Sequence, residues 1–169
     1  MPHNFRESLA FSRAQSDLPM WEEVYRAAFP GFMGMHDLRD DGWWQRAGID
    51  RSIVLSNSKT VLVDEKVRKK DWGDILLEYF SDEARKTPGW VRKDLACDFI
   101  AYAFLPSRKC YLLPFLQLRR AWDSNGRRWF KQYEIIRADN GNYKTASVAV
   151  PTDVLLAALT DAMLVRWEQ

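Results

Sequence analysis

The sequence is poor in the residues that would staple a small fold or hold a transition metal. Its 169 residues contain two cysteines, Cys97 and Cys110, and two histidines, His3 and His36. With so few, neither a disulfide framework nor a CxxC or Cys/His zinc site is available. The cysteine usage and the absence of a leader-like N-terminus point to reduced thiols in a soluble, cytoplasmic protein. No apolar run approaches the roughly 18 residues of a membrane span, so no membrane partner is expected. An excess of one charge is also missing, since 25 Lys and Arg stand against 23 Asp and Glu, a net +2. Bulk charge therefore does not demand a nucleic-acid partner, and any such role rests on local clusters.

What is present is ordinary globular composition, 47% apolar and 28% charged, with 14% aromatic residues including eight Trp. The length fits one domain over 1–169. Residues 1–15 read as a polar arm. Ser16 and Asp17 can cap a helix running to about Phe29, where "PGFMG" ends it. Residues 30–47 form a connection with room for one short strand. Strands follow over 49–55 and 60–67, joined by the turn "SNSK", and then over 75–80, "ILLEYF". In "WVRKDLACDFIAYAFL" the residues Val91, Leu95, Phe99 and Tyr102 share a helical face, and Pro106 stops that helix. "KCYLLPFLQL" reads as a strand with Pro114 at an edge or bulge. The turns "SNGR" and "DNGN" bound strands over 127–137 and 143–150, and an amphipathic helix runs from Thr152 to about Trp167. The expected fold class is mixed α/β (α+β) around one central sheet.

The hairpin at 49–67 carries acids where apolar residues would be easier to bury. Pairing around "SNSK" sets residues whose numbers sum to 114 or 115 opposite one another, so Asp50 faces residue 64 or 65. Strand alternation puts Asp64 and Lys66 on one face and Glu65 on the other. Two carboxylates this close repel unless a cation lies between them, and Mg²⁺ or Mn²⁺ favours such oxygen ligands. A lysine alongside can orient a water or stabilise charge growing on a phosphate. By itself, D-x-K at a sheet end is more often a solvated ion pair.

Helix first, then "GID", then "VDEK" about fourteen residues on, then a helix and a further strand: in this order the chain resembles the PD-(D/E)xK nuclease superfamily, the restriction-endonuclease-like fold. The resemblance covers about 17–118, with Ile49 where the motif has proline, and 119–169 adds a hairpin and a helix. It implies an αβββαβ core, a central mixed sheet flanked by helices, and metal-dependent hydrolysis of DNA phosphodiesters. Asp50 and Asp64 would hold Mg²⁺ or Mn²⁺, Lys66 would position the attacking water, and a small phage-type member and a homodimer are suggested. An acid on the first helix, Glu23 in preference to Glu22, and Glu78 in the apolar "ILLEYF" are reserve catalytic ligands. Each also fits a structural role.

Candidate nucleic-acid contacts are Gln45, the run Arg68, Lys69 and Lys70, and the segment "LRRAWDSNGRRWFK". The last interleaves Arg119, Arg120, Arg127 and Arg128 with Trp122, Trp129 and Phe130, read as a cationic hairpin able to stack on unpaired bases. The alternatives left open are a nuclease-fold protein that binds nucleic acid without cutting it, and a protein-docking module.

Overall fold

The computed structural model describes residues 18–168, so the capping pair Ser16 and Asp17 and the 1–15 arm lie outside the described residues. The protein is mixed α/β, with ten strands and four α-helices among the described residues. The chain divides into two compact units, 18–72 with 94–117 and 159–168, and 73–93 with 118–158. The strands form two sheets rather than the expected one. Among the described residues no helix is long and apolar enough to cross a membrane.

The first unit opens with α1 (Met20–Ala28). Its buried Trp21, Val24 and Tyr25 recur at helical spacing, with Glu22 and Glu23 in the first turn and Arg26 in the last, as the helix dipole favours. Pro30 and Gly31 end it, the glycine at φ +80°, a conformation costly for any other residue. The strands β1 (Phe32–Asp37), β2 (Arg51–Leu55) and β3 (Thr60–Arg68) form an antiparallel meander, with the short helix α2 (Gly42–Arg46) between the first two. Asp41 caps α2, accepting from the amides of Trp43 and Trp44.

The second unit is an antiparallel sheet of order β5-β4-β9-β8, built from β4 (Asp74–Asp82), β5 (Thr87–Pro88), β8 (Ile135–Asp139) and β9 (Lys144–Pro151). The "DNGN" turn joins β8 to β9 as expected. The first unit's remaining strands are β6 (Phe99–Phe104), β7 (Lys109–Pro114) and β10 (Met163–Arg166), giving a sheet of order β1-β2-β3-β6-β7-β10. Only β3 and β6 are parallel. Met20, Trp21, Val24, Tyr25 and Phe29 of α1 form one apolar cluster with Ile53, Val63, Ala101, Ala103, Cys110 and Leu112 of this sheet.

Several elements differ from the sequence expectation, among them the strand over 127–137, which is helix to Gln132 and extended only over Ile135–Asp139. The helix expected over "WVRKDLACDFIAYAFL" is a 3₁₀ turn, Trp90–Arg92, followed by β6. Ile100 to Phe104 are all buried. A strand flanked by two others and covered on both faces is a continuous apolar run, which periodicity cannot tell from a buried helix. The expected cationic hairpin over 118–131 is a helix, α3 (Phe115–Gln132), which starts directly after Pro114. Its buried Leu118, Ala121, Trp122 and Trp129 keep helical spacing through the "SNG" turn signal. A Cβ at Gly126 would lie 2.8 Å from the Trp122 ring, so here glycine marks a ring lying over the helix rather than a turn. The C-terminal helix stops early, at α4 (Thr152–Ala157). The residues beyond become β10, whose backbone groups pair with β7.

Candidate active site

Strand β3 lies inside its sheet, and its register fixes the acids. Arg51 pairs with Val63 and Val54 with Thr60, so partner numbers sum to 114, as the "SNSK" turn implies. Just before β2, Asp50 donates its amide to the Val63 carbonyl at 2.9 Å, and its Oδ2 accepts the Glu65 amide at 2.8 Å. Asp50 thus sits across from Asp64. Lys66, two residues along on the same face, places Nζ 2.6 and 2.8 Å from the two Asp64 oxygens.

The Asp64 side chain is only 7% exposed, that of Lys66 29%. Burial pushes the Asp64 carboxyl up, the Lys66 ammonium pulls it back, and the neighbouring Asp50 raises it again, to about 7. Near neutral pH a small cation can therefore take the place of a proton there. Cys97 is close enough to feel Asp64. Burial and that carboxyl push its thiol up to about 12, so it stays protonated and inert.

Glu65 points to the other face, where its side chain is 1% exposed. It accepts from the Tyr25 hydroxyl at 2.7 Å and from Arg51 Nε at 2.6 Å, and it bonds Arg39 Nη2. Burial pushes this carboxyl above its usual range, and the hydrogen bonds and charges of Arg51 and Arg39 pull it only part of the way back. On Arg51 burial acts downward, and the Glu65 carboxylate more than reverses it. Arg39 also sets Nε 3.5 Å from Asp50 Oδ1, so one guanidinium touches acids of both groups. Sequence reasoning missed Arg39, because nothing in "HDLRDD" separates it from a solvated loop arginine.

The other candidate residues are dispersed. Glu23 is exposed on α1, where its Oε1 accepts the Glu168 amide at 2.8 Å, beyond edge strand β10 and not beside Asp64. Glu78 belongs to β4 in the second unit, and its Oε1 accepts the Trp90 amide at 3.3 Å. Gln45 is exposed on α2. Arg68 continues the Asp64–Lys66 row on β3 and donates to the Tyr102 hydroxyl at 3.2 Å. Lys69 and Lys70 follow, both exposed, with Lys70 Nζ 5.2 Å from the Trp72 ring centre. Arg119, Arg120, Arg127 and Arg128 all lie on the second-unit part of α3. Arg119 donates to the Val91 and Lys93 carbonyls at 3.1 and 3.2 Å, and Arg128 to Asn125 at 2.9 Å.

Among the described residues no group of three or more His, Cys, Asp or Glu is placed to hold a metal ion. One or two carboxylates are nonetheless the usual protein share of an Mg²⁺ site, with water and substrate phosphate filling the rest. The all-oxygen pair of Asp50 and Asp64 fits that role. No protein-family model, no curated protein and no solved structure matches the chain.

Proposed function

We propose that the chain is a metal-dependent nuclease of the PD-(D/E)xK kind, hydrolysing DNA phosphodiesters at Asp50, Asp64 and Lys66. The observation that carries the reading is a buried carboxyl raised to about 7 between a second carboxylate and a lysine. What distinguishes it from the equally buried Glu65 is its setting, a second carboxylate and a partly exposed lysine in place of two guanidiniums and a phenol. The element order supports it in part: a helix, three antiparallel strands, then a strand parallel to β3. Residues 69–98, where the superfamily pattern has a helix, instead carry β4, β5 and the 3₁₀ turn.

Asp50 and Asp64 would hold Mg²⁺ or Mn²⁺. When bound, the ion supplies charge that stabilises the pentacoordinate phosphorus and makes water acidic enough to attack. Lys66 swings its ammonium from Asp64 to the attacking water and holds it in line with the scissile bond. The water oxygen joins phosphorus, its proton leaves to solvent, and the P–O bond to the departing strand breaks as the departing oxygen takes a proton from a solvent water. Arg68, Lys69 and Lys70 continue from Lys66 and would meet the adjoining phosphates. Glu23 and Glu78, bonded elsewhere, have no part in this mechanism.

One observation favours a second reading. Both oxygens of Asp64 are taken by Lys66, and a protein that binds nucleic acid without cutting it could keep that ion pair permanently. Cleavage of labelled duplex, single-stranded and branched DNA with Mg²⁺, Mn²⁺ or EDTA separates the two. Metal-dependent cutting lost in Asp64→Ala and Lys66→Ala supports the nuclease. No cutting on any substrate supports the binding protein.

A further inference from the structure

The second unit contains a cleft of about 340 Å³ lined by Tyr79, Trp122, Asp123, Gly126, Arg127, Phe130 and Lys131. We propose that this cleft captures an unpaired base of single-stranded DNA, while the outer face of α3 grips the adjoining backbone. This deepens the nuclease reading by naming the substrate class, and rests on that reading only for the choice of DNA.

The cleft has an aromatic lining. The Tyr79 ring centre lies 5.7 Å from that of Trp122 and 5.2 Å from that of Phe130, with ring planes inclined at 46° and 53°. Phe130 is 39% exposed, whereas Trp122 is 7% exposed. The Arg92 guanidinium stands 4.5 Å over Tyr79 and steadies that ring. Glycine in a helix interior costs roughly 1 kcal/mol relative to alanine. At Gly126 that cost makes room for the Trp122 ring, which a Cβ would meet at 2.8 Å, and so lets that ring form one wall of the cleft. A volume near the lower end of the ~300–1,000 Å³ of ligand pockets suits one flat ring better than a folded peptide. Asp123, which when ionised accepts hydrogen bonds and cannot donate them, offers a partner for a ring N–H.

The charge is arranged to match. At 3.6 residues per turn, Arg120, Arg127 and Lys131 fall within about 40° of one another, about 10 and 6 Å apart along the axis. All three are exposed. A row of cations beside stacking rings is how single strands are held without sequence preference. An acidic peptide would use the cations but not the rings.

The test is anisotropy of a fluorescent oligothymidylate of about twelve nucleotides, titrated with the full chain in EDTA so that no cutting occurs. Duplex DNA and oligouridylate serve as comparison ligands. Tight binding of the single strand, weakened about fivefold or more in Phe130→Ala and restored in Phe130→Trp, supports the proposal. Lys131→Gln is expected to lower the slope of log K against log salt by about 0.7. Unchanged affinity in Phe130→Ala, equal binding of duplex, or tighter binding of oligouridylate would overturn it. Because Phe130 is partly exposed, its variants are expected to fold, and matching melting temperatures would confirm that. Because the readout is metal-free binding, its failure is distinct from a failure of the nuclease reading.

Discussion

Two consecutive carboxylates on β3, Asp64 and Glu65, share a strand and near-complete burial, yet their surroundings are opposite. Glu65 is met by two guanidiniums and a phenol, so its charge is compensated where it lies. Burial raises both carboxyls, but Asp64 has one ammonium as its ion-pair partner and faces a second carboxylate, which adds to the rise. A buried acid with a full set of donors is part of the scaffold. A buried acid set against another acid holds interaction capacity that the fold itself does not use. That contrast, rather than the D-x-K spacing, is the stronger physical argument for assigning chemistry to the Asp64 face.

Removing Glu65 should have the largest effect on stability. Glu65→Ala removes the carboxylate that meets the buried Arg51 guanidinium at 2.6 Å and should lower unfolding free energy by about 3–5 kcal/mol in urea titration. Tyr25→Phe deletes one donor to the same carboxylate and should cost about 1.5–3 kcal/mol. A loss as large in Asp64→Asn would erase the contrast between the two faces.

On the other face, function should fall more than stability. Lys66→Ala is expected to reduce turnover about 10²- to 10³-fold, the usual loss when one charge-stabilising donor is removed. Its melting temperature should move little, since the Lys66 side chain is 29% exposed. Lost cleavage accompanied by unfolding would mean that the Asp64–Lys66 pair is structural.

Much of this site was legible beforehand, for a local reason. The hairpin is closed by a four-residue turn, so the register that sets Asp50 opposite Asp64 and Lys66 beside it follows from nearby residues. Helix α1 and the β8–β9 hairpin were readable on the same grounds. The compensation of Glu65 was not, because Tyr25 and Arg39 lie 40 and 26 residues away and only the tertiary fold brings them in. Nor was α3, where "SNG" favours a turn locally and the packing of Leu118, Trp122 and Trp129 overrides it. Strand β6 was hidden because burial on both faces removes the alternation that would have announced it.

The two faces should differ in pH dependence as well. The folded chain keeps the Asp64 proton to about pH 7, while an unfolded chain releases it near 4. The Asp64 contribution to stability is therefore full below about pH 4, falls as pH rises towards 7, and is flat above. Urea titrations in EDTA should show a steeper fall in the wild type than in Asp64→Asn, where only the raised Glu65 carboxyl still contributes. Parallel pH curves for the two would show that Asp64 is as well compensated as Glu65.

The most direct test of the assignment is calorimetric titration of Mn²⁺ at pH 8 into the wild type, Asp64→Asn and Tyr25→Phe. One site in the wild type and in Tyr25→Phe, lost in Asp64→Asn, is the predicted result. No Mn²⁺ binding by the wild type, or equal binding by Asp64→Asn, would contradict the account.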